Sequence, residues 1–196
     1  MARITKQDRL KRTAHHEAGH ALVCFGLRKA FSDLTIVETD EFYGAMSHRA
    51  WLKIDPGITS YEWEAQDIKR IKIDILVSLG GPAAENLFVG RTLRRNFAPG
   101  TDHAKVLEVL TLLYGGLDSD EAGMEVGKYI EYTEIVAKNY IAMNWKFLER
   151  LANALVKQET MTYVDAKKLV NRDKFLPFEE MRLAGLPTAP KRLRHL

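Results

Sequence analysis

The chain has 196 residues, 46% of them hydrophobic and 28% charged, with a formal net charge of +3 and a pI near 8.9. That length suits one domain, or one with a small appendage, and carries a core of useful size. So mild a positive balance gives no argument for nucleic-acid binding. The single cysteine, Cys24, excludes an intrachain disulfide and fits a reducing cytosol. The charged start MARITKQDRLKRT leads into no signal-peptide core, and no apolar run approaches the ~20 residues that span a bilayer. The expectation is a cytoplasmic chain without leader or membrane anchor. No GxxxxGK[ST] phosphate loop is present, so no built-in ATPase is expected.

Taken in chain order, the pattern predicts a mainly α protein. Thr5 to Lys29 reads as a helix, with Thr5 and Asp8 as a capping box and Ala14, Ala18, Ala21, Leu22 and Phe25 near one face. Residues 33–50 read as two strands around a polar turn, led by β-branched Thr35, Ile36 and Val37. Thr59 with Glu62 caps a second long helix to about Leu79, with Ile68, Ile71, Ile75 and Leu79 as its stripe. Gly80, Gly81 and Pro82 are expected to interrupt or kink it before helix resumes over 83–89.

Residues 90–101 read as a loop, and a third helix starts at Thr101–Asp102 and ends near Gly115–Gly116. A single long helix is expected over 120–157, serving as a bundle core or as an oligomer interface. Thr162 and Asp165 mark another cap and a short helix to about Val170. These elements form one unit over 1–175, and a Pro-containing basic tail occupies 176–196. Trp51, Trp63 and Trp145 read as core or interface anchors.

The stretch TAHHEAGHALV carries the chemistry. His16, Glu17 and His20 satisfy H-E-x-x-H; His15 does not, because its i+4 position is Gly19. Residues four apart share a helix face, ~5–6 Å between Cβ atoms, so the His16 and His20 rings can meet one ion. Glu17 follows ~100° round the axis, where it can hold a water without binding the metal itself. Small Ala14, Ala18, Gly19 and Ala21 let other elements approach. Histidines beside a core stripe are costly unless they are paired.

A catalytic zinc needs a third protein ligand. The long metzincin pattern fails, since Val23 and Gly26 stand where its Gly and His belong. Cys24 lies ~12 Å along the axis from His16 and reads as a small buried apolar group. Two acids remain: Glu85 in GGPAAENLFVG and Asp102 in APGTDHAKV, the latter at a helix start that favours a carboxylate. His103 is expected on the surface.

Four blocks, in order, resemble the FtsH-type ATP-dependent zinc metalloproteases. AHHEAGHALV resembles that family's YHEAGHA helix, and LGGPAAENLFVG its GGRAAEEL segment. GTDHAKVLEVL resembles the helix whose Asp supplies the third zinc ligand, and LERLANALVKQETMTYVDAKKLV the C-terminal stretch. The resemblance covers about residues 5–170. It implies a zincin-like helical peptidase domain with a small β element near 33–50. It makes His16, His20 and Asp102 zinc ligands and Glu17 the general base on a zinc-bound water. Glu85 becomes a candidate for supporting a ligand from behind.

Pro82 stands where the family has Arg, Asn86 replaces its second Glu, and the family's ATPase module and membrane anchor have no counterpart in this sequence. The expected function is a zinc endopeptidase cutting unfolded or flexible proteins and peptides. Two alternatives stay open: a protease subunit served by a separate ATPase, and a non-catalytic regulator that binds proteins. Homo-oligomerisation is also open. A strand around 35–37 or 43–47 could offer a free edge to an extended substrate.

Overall fold

The computed structural model describes residues 5–38, 44–47, 65–113, 120–170 and 175. Helix α1 (Lys6–Gly26) begins at Thr5, whose Oγ1 accepts the Asp8 N–H at 3.1 Å. Its second half runs through the middle of the molecule. From Ala14 to Gly26 every residue is buried except His16. The helix stops three residues before the expected Lys29. Leu27 leaves helical geometry and Arg28 takes φ 55°, turning the chain so that Lys29 is buried and paired with Asp74.

Strands β1 (Asp33–Thr35) and β2 (Ala45–Ser47) pair antiparallel, with Leu34 opposite Met46. A third strand, β3 (Thr160–Thr162), pairs with the other edge of β1, setting Leu34 opposite Met161. Among the described residues the sheet order is β2-β1-β3, so the central strand puts Leu34 into the core while β2 lies at an edge. The sequence pattern gave no sign of β3. Three residues are too short for a period-2 signal.

Helix α2 (Ala65–Val89) is continuous, with Pro82 inside it, so of the expected interruption or kink at Gly80–Pro82 the interruption does not occur. A proline there costs one backbone hydrogen bond, but the segment is held by packing on α1. A Cβ on Gly19 would come to 2.4 Å from Gly80 O and 2.6 Å from Ala84 Cβ. The two helices therefore touch backbone to backbone, which only the missing side chains allow. The proposed cap at Thr59 and Glu62 lies outside the described residues.

Helix α3 (Asp102–Leu113) starts where expected; its predicted end at Gly115–Gly116 lies outside the described residues. The expected single helix over 120–157 is two: α4 (Asp120–Met143) and α5 (Trp145–Gln158). They break at Asn144, which is buried and donates from its side chain to Tyr140 O at 3.2 Å. A polar residue that bonds its own preceding turn offers the backbone an alternative to continued helix. On α4 and α5, Tyr129, Ile130, Tyr140 and Phe147 are buried, while Ile135 and Met143 are exposed. Helix α6 (Tyr163–Leu169) is capped by Thr162, whose Oγ1 accepts the Asp165 N–H at 3.2 Å.

Among the described residues the core has two parts. One gathers α1, β1, α5 and α6 around Leu22, Leu34, Leu148, Leu151 and Met161. The other joins α2, α3 and α4 through Ile71, Ile75, Leu79, Val106, Leu110 and Ile130. Among the described residues, no helix is long and apolar enough to cross a membrane. The tail 176–196, Trp51 and Trp63 lie outside the described residues.

Candidate metal centre

Helix α1 presents His16 and His20 one turn apart, their ring centroids 4.8 Å from each other. Asp102, the first residue of α3, reaches the same point from 86 positions further along the chain. Its Oδ2 lies 2.9 Å from His16 Nε2 and 3.5 Å from His20 Nε2. One ligand atom from each of the three residues falls within 4.8 Å of the other two. Donors bound at ~2.0–2.1 Å around a tetrahedral ion stand roughly 3.3 Å apart, close to this spacing.

The far side of each ring is fixed. His16 Nδ1 lies 3.0 Å from Glu85 Oε2, and His20 Nδ1 lies 2.7 Å from Val77 O. Both partners are acceptors, so each Nδ1 donates to them and each Nε2 is the atom left facing Asp102. In the metal-free form His16 Nε2 donates to the Asp102 carboxylate, and an ion would take that proton's place. Glu85 is itself held by Arg12, so a chain of bonds runs from α1 to α2 and back. Glu85 thus contacts the far side of the His16 ring and stands apart from the three atoms that could share an ion.

Gly81 closes the other wall. A Cβ there would fall 2.3 Å from His20 Nε2 and 2.6 Å from His16 Nε2. The imidazole edges press on bare backbone, a cradle that alanine would fill. The expectation that GGP would interrupt or kink the helix held no hint of this role for Gly81. The signal available was the pair of glycines four and five residues before Glu85.

The charges fit this geometry. Burial works against the charged form of His16, and bonds to Asp102 and Glu85 more than reverse it, raising the metal-free imidazole to about 10. Burial likewise opposes ionisation of Asp102, but His20 and His16 hold its carboxyl far below the usual carboxylate range. Glu17, 5% exposed, is raised chiefly by burial, with His20 and His16 pulling the other way.

Glu17 lies under the start of β2. A Cβ on Gly44 would sit 3.1 Å from Glu17 Oε1, so this glycine lets the strand approach run close over the carboxylate. His16, Glu17, His20, Glu85 and Asp102 all line one cleft of ~1170 Å³, with Ala45 and Met46 of β2 on its wall.

His15 points elsewhere. Its ring stacks on Phe88 at 3.9 Å and faces Trp145 at 5.8 Å, which makes it a packing group between α1, α2 and α5. Cys24 is wholly buried in the core, and burial pushes its thiol up to about 12.

His103 was expected on the surface and is buried instead. Its Nε2 lies 3.0 Å from Glu134 Oε1 on α4, and Arg95 grips both oxygens of the same carboxylate at 2.9 and 2.7 Å. Glu134 therefore ties the loop before α3 and the first turn of α3 to one point beside Asp102. Nothing in local spacing announces this clamp, because its members lie 31 and 39 residues apart.

No protein-family model and no curated protein matches the chain.

Proposed function

We propose that this protein is a zinc-dependent endopeptidase of the FtsH-type peptidase class, cutting unfolded or flexible polypeptides. The observation that carries the reading is the convergence of His16 Nε2, His20 Nε2 and Asp102 Oδ2 on one point, beside a buried glutamate. Two imidazole nitrogens and one carboxylate are a donor set that catalytic zinc takes, with a fourth position left open. His16, His20 and Asp102 would hold the ion, with Glu85 and Val77 O orienting the two rings. When bound, zinc supplies a Lewis acid that acidifies water and polarises a carbonyl.

The chain's own residues do the rest. Glu17 is close to the ligands yet outside their set. Its carboxylate takes a proton from the attacking water and returns it to the departing amine. Its raised pKa suits both duties. Among the described residues β2 has β1 on one side only, and that strand lines the cleft. An extended peptide adding to the other edge gains main-chain hydrogen bonds and passes over Glu17.

The test is Glu17→Gln. The variant should keep one zinc per chain and lose cleavage of an unfolded casein substrate by at least about a hundredfold. Cleavage at the wild-type rate would remove Glu17 from the mechanism. A wild type that binds unfolded protein without cutting it would favour a non-catalytic regulator.

A further inference from the structure

The cleft around the candidate metal centre sorts its charges by depth. The acids lie on its floor: Glu85, Asp102 and Glu134 have side chains 17%, 16% and 27% exposed. Each is engaged, Glu85 by Arg12 and His16, Asp102 by the two ligand histidines, and Glu134 by Arg95 and His103. The cations stand higher. Arg12, Arg95 and Lys105 are 34%, 39% and 60% exposed. Arg94 also lines the cleft, is exposed, and has no hydrogen bond or ion pair among the described residues.

A polypeptide entering this cleft meets positive charge first, while Glu85, Asp102 and Glu134 beneath are already paired and Glu17, also on the cleft wall, is buried. We propose that the cleft selects polypeptide segments carrying Asp or Glu one to three residues from the bond held at the metal centre, with Arg94 and Lys105 as the groups that recognise them. The inference rests on the peptidase reading for the position of that bond. Lys105 Nζ lies 3.8 Å from Asp102 Oδ1, beside the ligand carboxylate, and an extended chain advances ~3.3–3.6 Å per residue. The Lys105–Asp102 pair is long and solvent-exposed on the lysine side, so the ammonium is held weakly and can turn to a substrate carboxylate. Lysine or arginine at the same substrate positions would face like charges.

The experiment uses three fluorescein-labelled decapeptides of one apolar sequence, with two Asp, two Asn or two Lys flanking the central bond. Binding is read by anisotropy on the zinc-loaded full chain bearing Glu17→Gln, which needs no turnover. The Asp peptide should bind about tenfold more tightly than the Lys peptide, since each exposed pair contributes a few-fold. The gap should shrink as salt rises from about 0.05 to about 0.5 M. Adding Arg94→Glu should abolish or invert the order, and adding Arg94→Lys should keep it. Equal binding of all three peptides, or an order that Arg94→Glu leaves intact, overturns the inference. Tighter binding of a single-stranded oligonucleotide than of the Asp peptide also overturns it, in favour of a phosphate-binding groove. Wild type that binds the Asp peptide selectively but cleaves none of the three counts against the peptidase reading alone.

Discussion

At the scale of single residues, the candidate site depends as much on an absent side chain as on the three that converge there. Alanine normally stabilises a helix over glycine by roughly 1 kcal/mol. At Gly81 the same change would drive a methyl group onto both Nε2 atoms. Gly81→Ala should therefore leave a helical fold and weaken zinc binding severely, measured by chelator competition alongside circular dichroism. Unchanged zinc affinity would mean that the rings do not bind through Nε2. Protons compete at the same atoms. The metal-free His16 titrates at about 10, so below that pH an ion must displace its proton. Zinc affinity should rise about tenfold per pH unit between roughly pH 6 and 8. The H-E-x-x-H spacing made His16, Glu17 and His20 legible because four residues make one helical turn. Glu85 and Asp102 could be shortlisted from the chain, but separating their roles needed the distances to His16 Nδ1 and Nε2.

At the scale of elements, the sequence was most readable where local chemistry acts alone. Thr5 with Asp8, and Thr162 with Asp165, cap α1 and α6 as their spacing predicts. Tertiary contact overrode local preference elsewhere. Packing on Gly19 carries α2 through Pro82, and Asn144 divides an apolar pattern that continues on both sides. Gly19→Ala should destabilise the fold by about 1–3 kcal/mol or more, because the clash is with backbone that cannot move aside. Urea unfolding measures it. The Glu134 clamp makes a separate prediction. Burial raises this carboxyl, and the bonds from His103 and Arg95 more than reverse that, to about 2. A depressed folded value means that the clamp's stabilisation is present above the ordinary glutamate value of 4.5 and is lost as pH falls through about 2. Glu134→Gln should flatten acid unfolding in that window and weaken zinc binding through Asp102. Identical acid profiles for the two proteins would show that the clamp contributes nothing.

At the scale of the whole molecule, α1 builds one half of the core, and the other half is formed by α2, α3 and α4 without it. The candidate ion would join it to α3, two elements that meet through side chains from opposite ends of a long stretch of chain. An ion that binds only the folded form stabilises it by mass action, by about 2.7 kcal/mol at a hundred times its Kd. The thermal midpoint should rise with zinc in the wild type. The mainly helical class was legible from apolar periodicity, and the sheet only in part, because β3 comes from the far end of the sequence. The most direct measurement is zinc affinity, by competition with a chromophoric chelator, for wild type, Asp102→Ala and Glu85→Ala. The account predicts one zinc per chain in the wild type, a loss of about 10–100-fold in Glu85→Ala, and a far larger loss in Asp102→Ala. Wild-type affinity in Asp102→Ala would contradict it.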